Sequence, residues 1–283
     1  MTILKTDEIT MKFGGLTAVK EFNLGINKGE IVALIGPNGA GKTTAFNMIT
    51  GVYRPTEGKI KFDGEDITGI KPHDITKGGM ARTFQNIRLF KDLSVLDNVF
   101  IANHLHLKSN IAEATWGKIQ PILASPLSVF KSEKSSFLNK LLSRETNYQR
   151  EEREVNERAH MLLEKVGLVD LKDEKASSLS YGLQRKLEIA RALATNPKVL
   201  LLDDPAAGMN PKETNDLTEF IREIREDFDL TIFLIEHHMQ VVMDISDRIY
   251  VLDHGETIAE GDPYDIQNND RVIQAYLGVA EDA

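Results

Sequence analysis

The stretch with the clearest chemistry is a glycine-rich turn, GPNGAGKTT, that directly follows the apolar run IVALI. Glycines let backbone N–H groups turn inward around phosphate oxygens, where a side chain would collide. Lys42 brings a positive charge to the β- and γ-phosphates, and Thr43 offers a hydroxyl to Mg²⁺. The helix that follows adds its positive end. The pattern predicts a nucleoside triphosphate site, made of Gly36, Pro37, Asn38, Gly39, Ala40, Gly41, Lys42, Thr43 and Thr44.

Two adjacent carboxylates, Asp203 and Asp204, end a second apolar run, VLLLDD. Neighbouring negative charges at the end of a buried strand repel each other, so a cation or a reaction must require them. In proteins with this kind of phosphate loop, an acid at the tip of a neighbouring strand holds Mg²⁺. We therefore predict that Asp203 is a metal ligand together with Thr43. Asp204 is predicted to position or polarise the attacking water.

A third segment, SSLSYGLQRKLEIARALATNP at 177–197, predicts a helix whose start binds an anion. Ser180 is a favourable N-cap residue, and Gly182 permits close approach of an anion to the first turn. One face of the helix is apolar and consists of Leu183, Leu187, Ala190 and Ala194.

These segments need a scaffold that holds strand ends side by side. The runs at 31–36, 199–204 and 231–237 are continuously apolar, which is typical of parallel strands covered on both faces. Between the last two runs, residues 213–228 have the spacing of an amphipathic helix, so a β-α-β unit is expected. Its apolar face is Leu217, Phe220, Ile221 and Ile224.

The remaining segments predict further strands and a helical insertion. Residues 3–13 and 60–67 are strand-like, and residues 248–262 indicate a hairpin around His254 and Gly255. Residues 103–160 are rich in Lys and Ser and then in mixed charge. We expect there a mostly helical insertion with a solvated face.

Composition narrows the class of protein. The 283 residues suffice for one large domain or two closely packed ones, and the absence of cysteine excludes disulfides and thiolate metal sites. A net charge of −9 disfavours nucleic acid or an anionic lipid surface as the main partner. The N-terminus lacks the pattern of a secretory signal, and no run approaches the ~18–20 apolar residues of a membrane span. Any link to a membrane is expected to run through another protein.

Two short segments complete the pattern, TFQ at 83–85 and LIEH at 234–237. With the motifs above, they make the chain resemble the ATP-binding subunit of ABC transporters over nearly its whole length. The resemblance implies that Gln85 senses both Mg²⁺ and the catalytic water. It implies that His237 contacts the γ-phosphate and the attacking water, so that Asp204, His237 and Gln85 are the catalytic residues. The adjacent His238 is the alternative, and the family pattern favours His237.

The resemblance also implies that two subunits together form each nucleotide site. In the family, two ATP-binding subunits pack head to tail, and the signature of one closes on the ATP held by the other. The γ-phosphate then bridges the two halves, and hydrolysis releases them. ATP and Mg²⁺ are the implied cofactors, and Phe13 is implied to stack on adenine. The implied signature contacts to nucleotide are Ser180, Tyr181 and Gly182.

Longer segments are similar to the ATPase of bacterial branched-chain amino acid importers. They are RTFQNIRLFKDLSVLDNV, PAAGMNPKET, IEHHMQVVMDISDRIYVLDHG and the closing IQAYLG. The resemblance implies a second ATP-binding subunit of the same or a related sequence, permease subunits in the membrane and, indirectly, a periplasmic amino-acid-binding protein. It implies a location at the cytoplasmic face of the inner membrane. The apolar Ile87, Leu89 and Phe90 beside Gln85 are the expected contact with the permease.

The expected fold is α/β, a P-loop NTPase core in which a mostly parallel sheet is flanked by helices. It carries an N-terminal antiparallel β subdomain and an inserted α-helical subdomain. A single ABC ATP-binding domain is predicted over 1–283. Residues 1–85 and 198–283 form its core with the β subdomain, and residues 86–197 form the helical subdomain with the insertion 103–160 and the signature.

Four positions depart from the family pattern. Tyr181 replaces a common Gly, as occurs in the branched-chain subfamily. Leu183 stands where Gln is usual, Asn210 where many relatives carry Asp, and Asp204 where the acid is normally Glu. The shorter acid leaves open a nucleotide-gated switch with impaired hydrolysis. A soluble ABC ATPase acting on ribosomes or DNA is a further alternative, disfavoured by the single phosphate loop and the short insertion. A GTPase is disfavoured because no N-K-x-D sequence is present. The transported amino acid stays open.

Overall fold

The structure, a computed structural model, describes residues 1–103, 105 and 147–277. Most of the predicted insertion at 103–160 lies outside the described residues. The strands described are, in chain order, β1 (Thr2–Phe13), β2 (Leu16–Asn27), β3 (Ile31–Ile35), β4 (Glu57–Phe62), β5 (Glu65–Asp66), β6 (Met80–Arg82), β7 (Val199–Asp203), β8 (Thr231–Ile235), β9 (Arg248–Asp253) and β10 (Glu256–Gly261).

The helices lie between and around these strands. In chain order they are α1 (Lys42–Ile49), α2 (Pro72–Lys77), α3 (Val95–Asn103), α4 (Asn147–Lys165), α5 (Tyr181–Leu193), α6 (Pro211–Asp227), α7 (Met239–Ile245), α8 (Pro263–Gln267) and α9 (Asp270–Leu277). The predicted amphipathic helix at 213–228 is α6, which begins with a capping box formed by Asn210 and Glu213.

Two sheets organise the strands. The larger has the order β10-β9-β3-β8-β7-β6, and its strands are parallel except for β10, which pairs antiparallel with β9. The smaller has the order β2-β1-β4-β5 and is antiparallel. The predicted α/β class, with a mostly parallel core and an N-terminal antiparallel β subdomain, is confirmed.

Alternation along β3 explains why its sequence is continuously apolar. Ile31, Ala33 and Ile35 pack into the core shared with the helices, including α5 and α6. Val32 and Leu34 face the opposite way, into the core shared with the antiparallel sheet. Because successive side chains of a strand point to opposite faces, both faces of β3 must be apolar. The strand is fully buried, so its end holds the residues that follow in a fixed position.

Candidate functional site

The phosphate loop leaves the end of β3 and enters α1 at Lys42. Gly36 has φ 146°, and a Cβ there would lie 2.0 Å from the carbonyl oxygen of Leu252. Gly41 has φ 99°, and a Cβ there would lie 2.5 Å from the carbonyl oxygen of Ala18. Backbone from two other strands therefore approaches the loop too closely for any side chain, which fixes glycine at both positions.

Lys42 is buried and folded over its own loop. Its Nζ donates hydrogen bonds to the carbonyl oxygens of Gly36, at 2.7 Å, and Pro37, at 3.0 Å. Burial lowers the pKa of the Lys42 ammonium, and the nearby charge of Asp204 opposes that shift. The charge predicted to bind phosphate is thus held at the loop by carbonyl groups within six residues of it.

A cavity of about 430 Å³ opens above this loop. The phosphate-loop residues 38–44 form one wall, and residues 16–18 form another. Three single side chains complete the lining: Gln85, His237 and His254. Gln85 and His237, far apart in sequence, therefore share one cavity with the loop, while His238 does not line it. His254 was missed by the sequence reasoning, which placed it only in a hairpin turn.

Asp203, at the end of β7, is paired with a cation that the sequence reasoning did not identify. The Arg82 guanidinium, at the end of β6, donates to Asp203 Oδ2 at 2.6 Å, and both side chains are only 9% exposed. Its Nη1 donates to Asn47 Oδ1 on α1 and to Thr50 Oγ1, the residue directly after that helix. A charge-assisted bond of this kind offsets the repulsion between Asp203 and Asp204.

Asp204 occupies a left-handed backbone conformation, with φ 51°. Asp tolerates this region better than most residues with a Cβ. Its backbone N–H donates to the carbonyl of Ile235 at 2.9 Å, and its Oδ2 accepts from Gln85 Nε2 at 3.2 Å. The other carboxylate oxygen, Oδ1, is buried and has no hydrogen-bond partner among the described residues. Like Asp203, Asp204 does not line the described cavity, so its contact with the attacking water stays a prediction.

Glu236, directly after β8, is a third residue that sequence reasoning missed. It is fully buried, and its carboxylate accepts hydrogen bonds from the backbone N–H groups of Ala206, His237 and His238. Burial raises the pKa of this carboxyl, and the hydrogen bonds from the backbone oppose the shift. The acid in LIEH could have attracted attention, because a charge at the end of a buried strand needs partners.

The signature segment lies at the start of α5, outside the wall of the described cavity. Ser180 takes the N-cap position, but its hydroxyl accepts no capping hydrogen bond, contrary to the usual role of such a residue. The fully buried Arg185 joins this helix to the Gln85 segment by donating to the carbonyl oxygens of Phe84, at 2.7 Å, and Gln85, at 2.8 Å. An internal ion pair with Glu188 holds the guanidinium in place.

Phe13, at the end of β1, is 44% exposed and contacts Tyr53 edge-to-face, with ring centroids 5.5 Å apart. It does not line the described cavity, so its contact with adenine stays a prediction. At the other end of the chain, the backbone N–H of Gly36 donates to the Tyr276 hydroxyl of α9 at 2.8 Å. The C-terminal helix thus supports the first residue of the phosphate loop, which was not foreseen.

These elements, a phosphate loop at the end of β3 with acids at the end of β7, define a P-loop ATPase of the cassette type. The sequence pattern of the ABC transporter family matches residues 19–207, and the chain belongs to this family. The predicted ATPase class is confirmed. A second pattern, described as branched-chain amino acid ATP-binding cassette transporter, matches residues 256–282.

Curated relatives extend over the whole chain. The high-affinity branched-chain amino acid transport ATP-binding protein BraF of Pseudomonas aeruginosa is 44% identical over 98% of both chains. LivG of Escherichia coli, which has the same description, is also 44% identical over 98% of both. The predicted resemblance to the ATPases of branched-chain amino acid importers is confirmed.

Solved structures give the same family. An ATP-binding cassette of an ABC transporter in its ADP conformation is 32% identical and has a TM-score of 0.77, over 99% of this chain and all of that one. A dimeric cassette in a post-hydrolysis state, bound to ADP and Pi, is 25% identical with a TM-score of 0.69, over 92% of this chain and 99% of that one. Within the described residues of this chain, no helix is long and apolar enough to cross a membrane.

Proposed function

We propose that this chain is the ATPase subunit that powers uptake of branched-chain or related amino acids through a membrane permease. One observation carries the proposal: the phosphate loop, Gln85 and His237 line the same cavity. The names of BraF and LivG state branched-chain amino acid transport, which supports the substrate class. The chain would act at the cytoplasmic face of the membrane, where ATP is present, and would be held there by permease subunits.

Different residues carry out the successive parts of ATP hydrolysis. Backbone N–H groups of the phosphate loop and the Lys42 ammonium bind the β- and γ-phosphates. A water oxygen attacks the γ-phosphorus, and the bond from that phosphorus to the β–γ bridging oxygen breaks, giving ADP and phosphate. Asp204 orients this water and accepts its proton, with Gln85 holding the carboxylate from one side. His237, in the cavity wall, donates a hydrogen bond to the γ-phosphate.

Thr43, Asp203 and Gln85 are the residues proposed to hold Mg²⁺. Among the described residues, no group of three or more His, Cys, Asp or Glu side chains could hold a metal ion. The three proposed residues offer a hydroxyl, a carboxylate and an amide oxygen, and Mg²⁺ binds through one or two carboxylates plus substrate phosphates and waters. When bound, the ion neutralises charge that develops on the phosphates.

A second ATP-binding subunit, packed head to tail, completes the proposed site. Ser180 and Gly182 begin α5 outside the cavity wall, which supports a contact with ATP held by the other subunit. The dimeric cassette among the similar structures supports such pairing. We expect the purified chain to be monomeric without nucleotide and dimeric with ATP when hydrolysis is blocked.

Sedimentation with and without ATP tests this assembly. Ser180→Arg should prevent the dimer and leave ATP binding intact, because it obstructs only the facing surface. Ser178→Arg is the matched control, since Ser178 is also exposed and bonds only to the Lys175 carbonyl. A dimer that forms without ATP and tolerates Ser180→Arg would reject the shared site.

Transport itself is tested with vesicles that contain the permease subunits of a branched-chain amino acid importer. The ATPase is added on one side, and the amino-acid-binding protein and radiolabelled leucine on the other. Leucine uptake should require ATP and this chain, and should stop with Lys42→Ala. ATP turnover without any amino acid uptake would instead favour a soluble ABC ATPase.

A nucleotide-gated switch with impaired hydrolysis is the second candidate, favoured by Asp204 in the place of the usual Glu. Single-turnover measurement separates the two. A motor releases phosphate and then dissociates, whereas a switch stays dimeric with intact ATP over many minutes.

A further inference from the structure

Glu236 occupies a central place in the site although it cannot reach the nucleotide. It follows β8, which lies between β3 and β7 in the sheet. Its side chain is 0% exposed and is absent from the cavity wall. Any effect of Glu236 on ATP is therefore indirect.

Those bonds join two catalytic segments. Oε1 accepts from the backbone N–H of Ala206 at 2.8 Å, in the turn that follows Asp204. Oε2 accepts from the backbone N–H groups of His237, at 2.6 Å, and His238, at 2.9 Å. One rigid carboxylate thus connects the water-positioning acid to the cavity histidine.

A carboxylate is an expensive group to bury, and stability alone does not require one here. Burial of a charge is unfavourable unless hydrogen bonds compensate for it, and a well-packed apolar residue is often as stable. In the described part of the chain, the hydrogen bonds to Glu236 come from backbone N–H groups. A neutral side chain has fewer acceptor sites for three N–H groups that converge from two segments.

We propose that Glu236 is a positioning residue that fixes His237 relative to Asp204. The inference rests on the proposed ATP hydrolysis, which it deepens. The carboxylate sets the path of the backbone at His237 and at Ala206, two residues after Asp204, so that His237 and Asp204 face the same γ-phosphate and water. Asp204 is also tied to the end of β8 by its own N–H bond to the Ile235 carbonyl, so Glu236 fixes the residues beyond that point, His237 and His238, relative to the turn after Asp204. The phosphate loop that binds ATP does not depend on Glu236.

The test is Glu236→Gln, which keeps the side-chain shape and replaces one acceptor oxygen by a donor. Misplacement of a catalytic group by about 1 Å costs on the order of 10²-fold, so kcat should fall by ~10- to 100-fold. The dissociation constant for ATP should stay unchanged. In native-state hydrogen exchange, the amides of His237 and His238 should exchange faster, which is a readout independent of turnover.

Glu30→Gln is the matched control. Glu30 also binds a backbone N–H, that of Asn27, and the Arg248 guanidinium, but it lies just before β3, at the end of that strand away from the loop. This change should lower thermal stability and leave kcat and the exchange of His237 unaltered.

A double variant separates positioning from a general loss of stability. If Glu236 acts through His237, then Glu236→Gln in a His237→Ala background should lower kcat little further. An equal loss in both backgrounds, or unaltered kcat and unaltered exchange in Glu236→Gln, would overturn the inference. Should Glu236→Gln fail to fold, Glu236→Asp, which keeps the charge but shortens the reach, should show the same kcat loss. Absence of turnover in the unaltered chain would reject the proposed function, while the exchange measurement would still decide the role of Glu236.

Discussion

The ends of β3 and β7 lie in one sheet with β8 between them, and they are built in opposite ways. At the end of β3, Lys42 bonds to carbonyl oxygens five and six residues away. At the end of β7, Asp203 and Asp204 bond to Arg82 and Gln85, which are 121 and 119 residues away. Lys42 is therefore held within its own loop, whereas the acidic end depends on the assembled fold.

This difference separates the consequences of mutation. A change at Lys42 should remove nucleotide binding and leave the fold intact. Changes at the acidic end should affect both chemistry and stability, because the same side chains hold the sheet and the helices together. The following predictions test that distinction.

Lys42→Ala should have the largest effect. It removes the charge that stabilises the β- and γ-phosphates, so turnover should fall by on the order of 10³-fold. The melting temperature without nucleotide should change little, since the lysine bonds only its own loop. Lys20→Ala is the control. Lys20 is close in sequence to the cavity-lining residues 16–18, and its ammonium forms an ion pair with Glu256. If Lys42→Ala unfolds the protein, the claim that Lys42 bonds only within its own loop is contradicted.

Arg82→Met should be the most destabilising change at the acidic end. It leaves Asp203 buried without its cation, and breaking a buried ion pair from one side costs about 3–5 kcal/mol. Urea denaturation without nucleotide measures this. Arg82→Met combined with Asp203→Asn should recover most of the stability. The exposed ion pair of Lys198 and Asp63, which also joins segments far apart in sequence, is the control. Lys198→Met should cost no more than about 1 kcal/mol of the free energy of unfolding.

His237→Ala should retain ATP binding and lose most hydrolysis, by on the order of 10²-fold, because it removes a donor to the γ-phosphate. His238→Ala should be nearly neutral, since His238 does not line the cavity. Equilibrium binding of a fluorescent ATP analogue and phosphate release provide the two readouts. If His238→Ala is the damaging change, the choice of His237 is wrong.

Asp204→Glu should give the only gain, and the net change should be the smallest of the four because two effects oppose each other. A longer side chain brings the carboxylate nearer the attacking water, and an improvement in position is worth up to about 10²-fold in kcat. The positive φ of Asp204 limits this gain, because Glu adopts that conformation less readily than Asp. ATP affinity should be unaltered, and Asp204→Asn should lower turnover and favour the ATP-bound dimer. A lower kcat in Asp204→Glu would show that the local backbone already compensates.

The same contrast explains what the sequence could predict. The phosphate loop is contiguous, so its residues and chemistry were predicted from one stretch. Arg82 was missed because β6 is only three residues long and has no periodicity to reveal that it pairs with β7. Glu236 was missed because its partners are backbone groups, which leave no trace in residue types. The family resemblance supplied Gln85 and His237, which spacing alone would not have connected.

The hydrogen bond between Gly36 and Tyr276 offers a way to follow nucleotide binding by fluorescence. The next residue, Leu277, is 71% exposed, and the chain contains no cysteine. Leu277→Cys would therefore create a unique thiol for a dye, one residue from a direct contact with the phosphate loop. For the same reason, an affinity tag is better placed before β1 than after α9, where it would act on the loop that binds ATP.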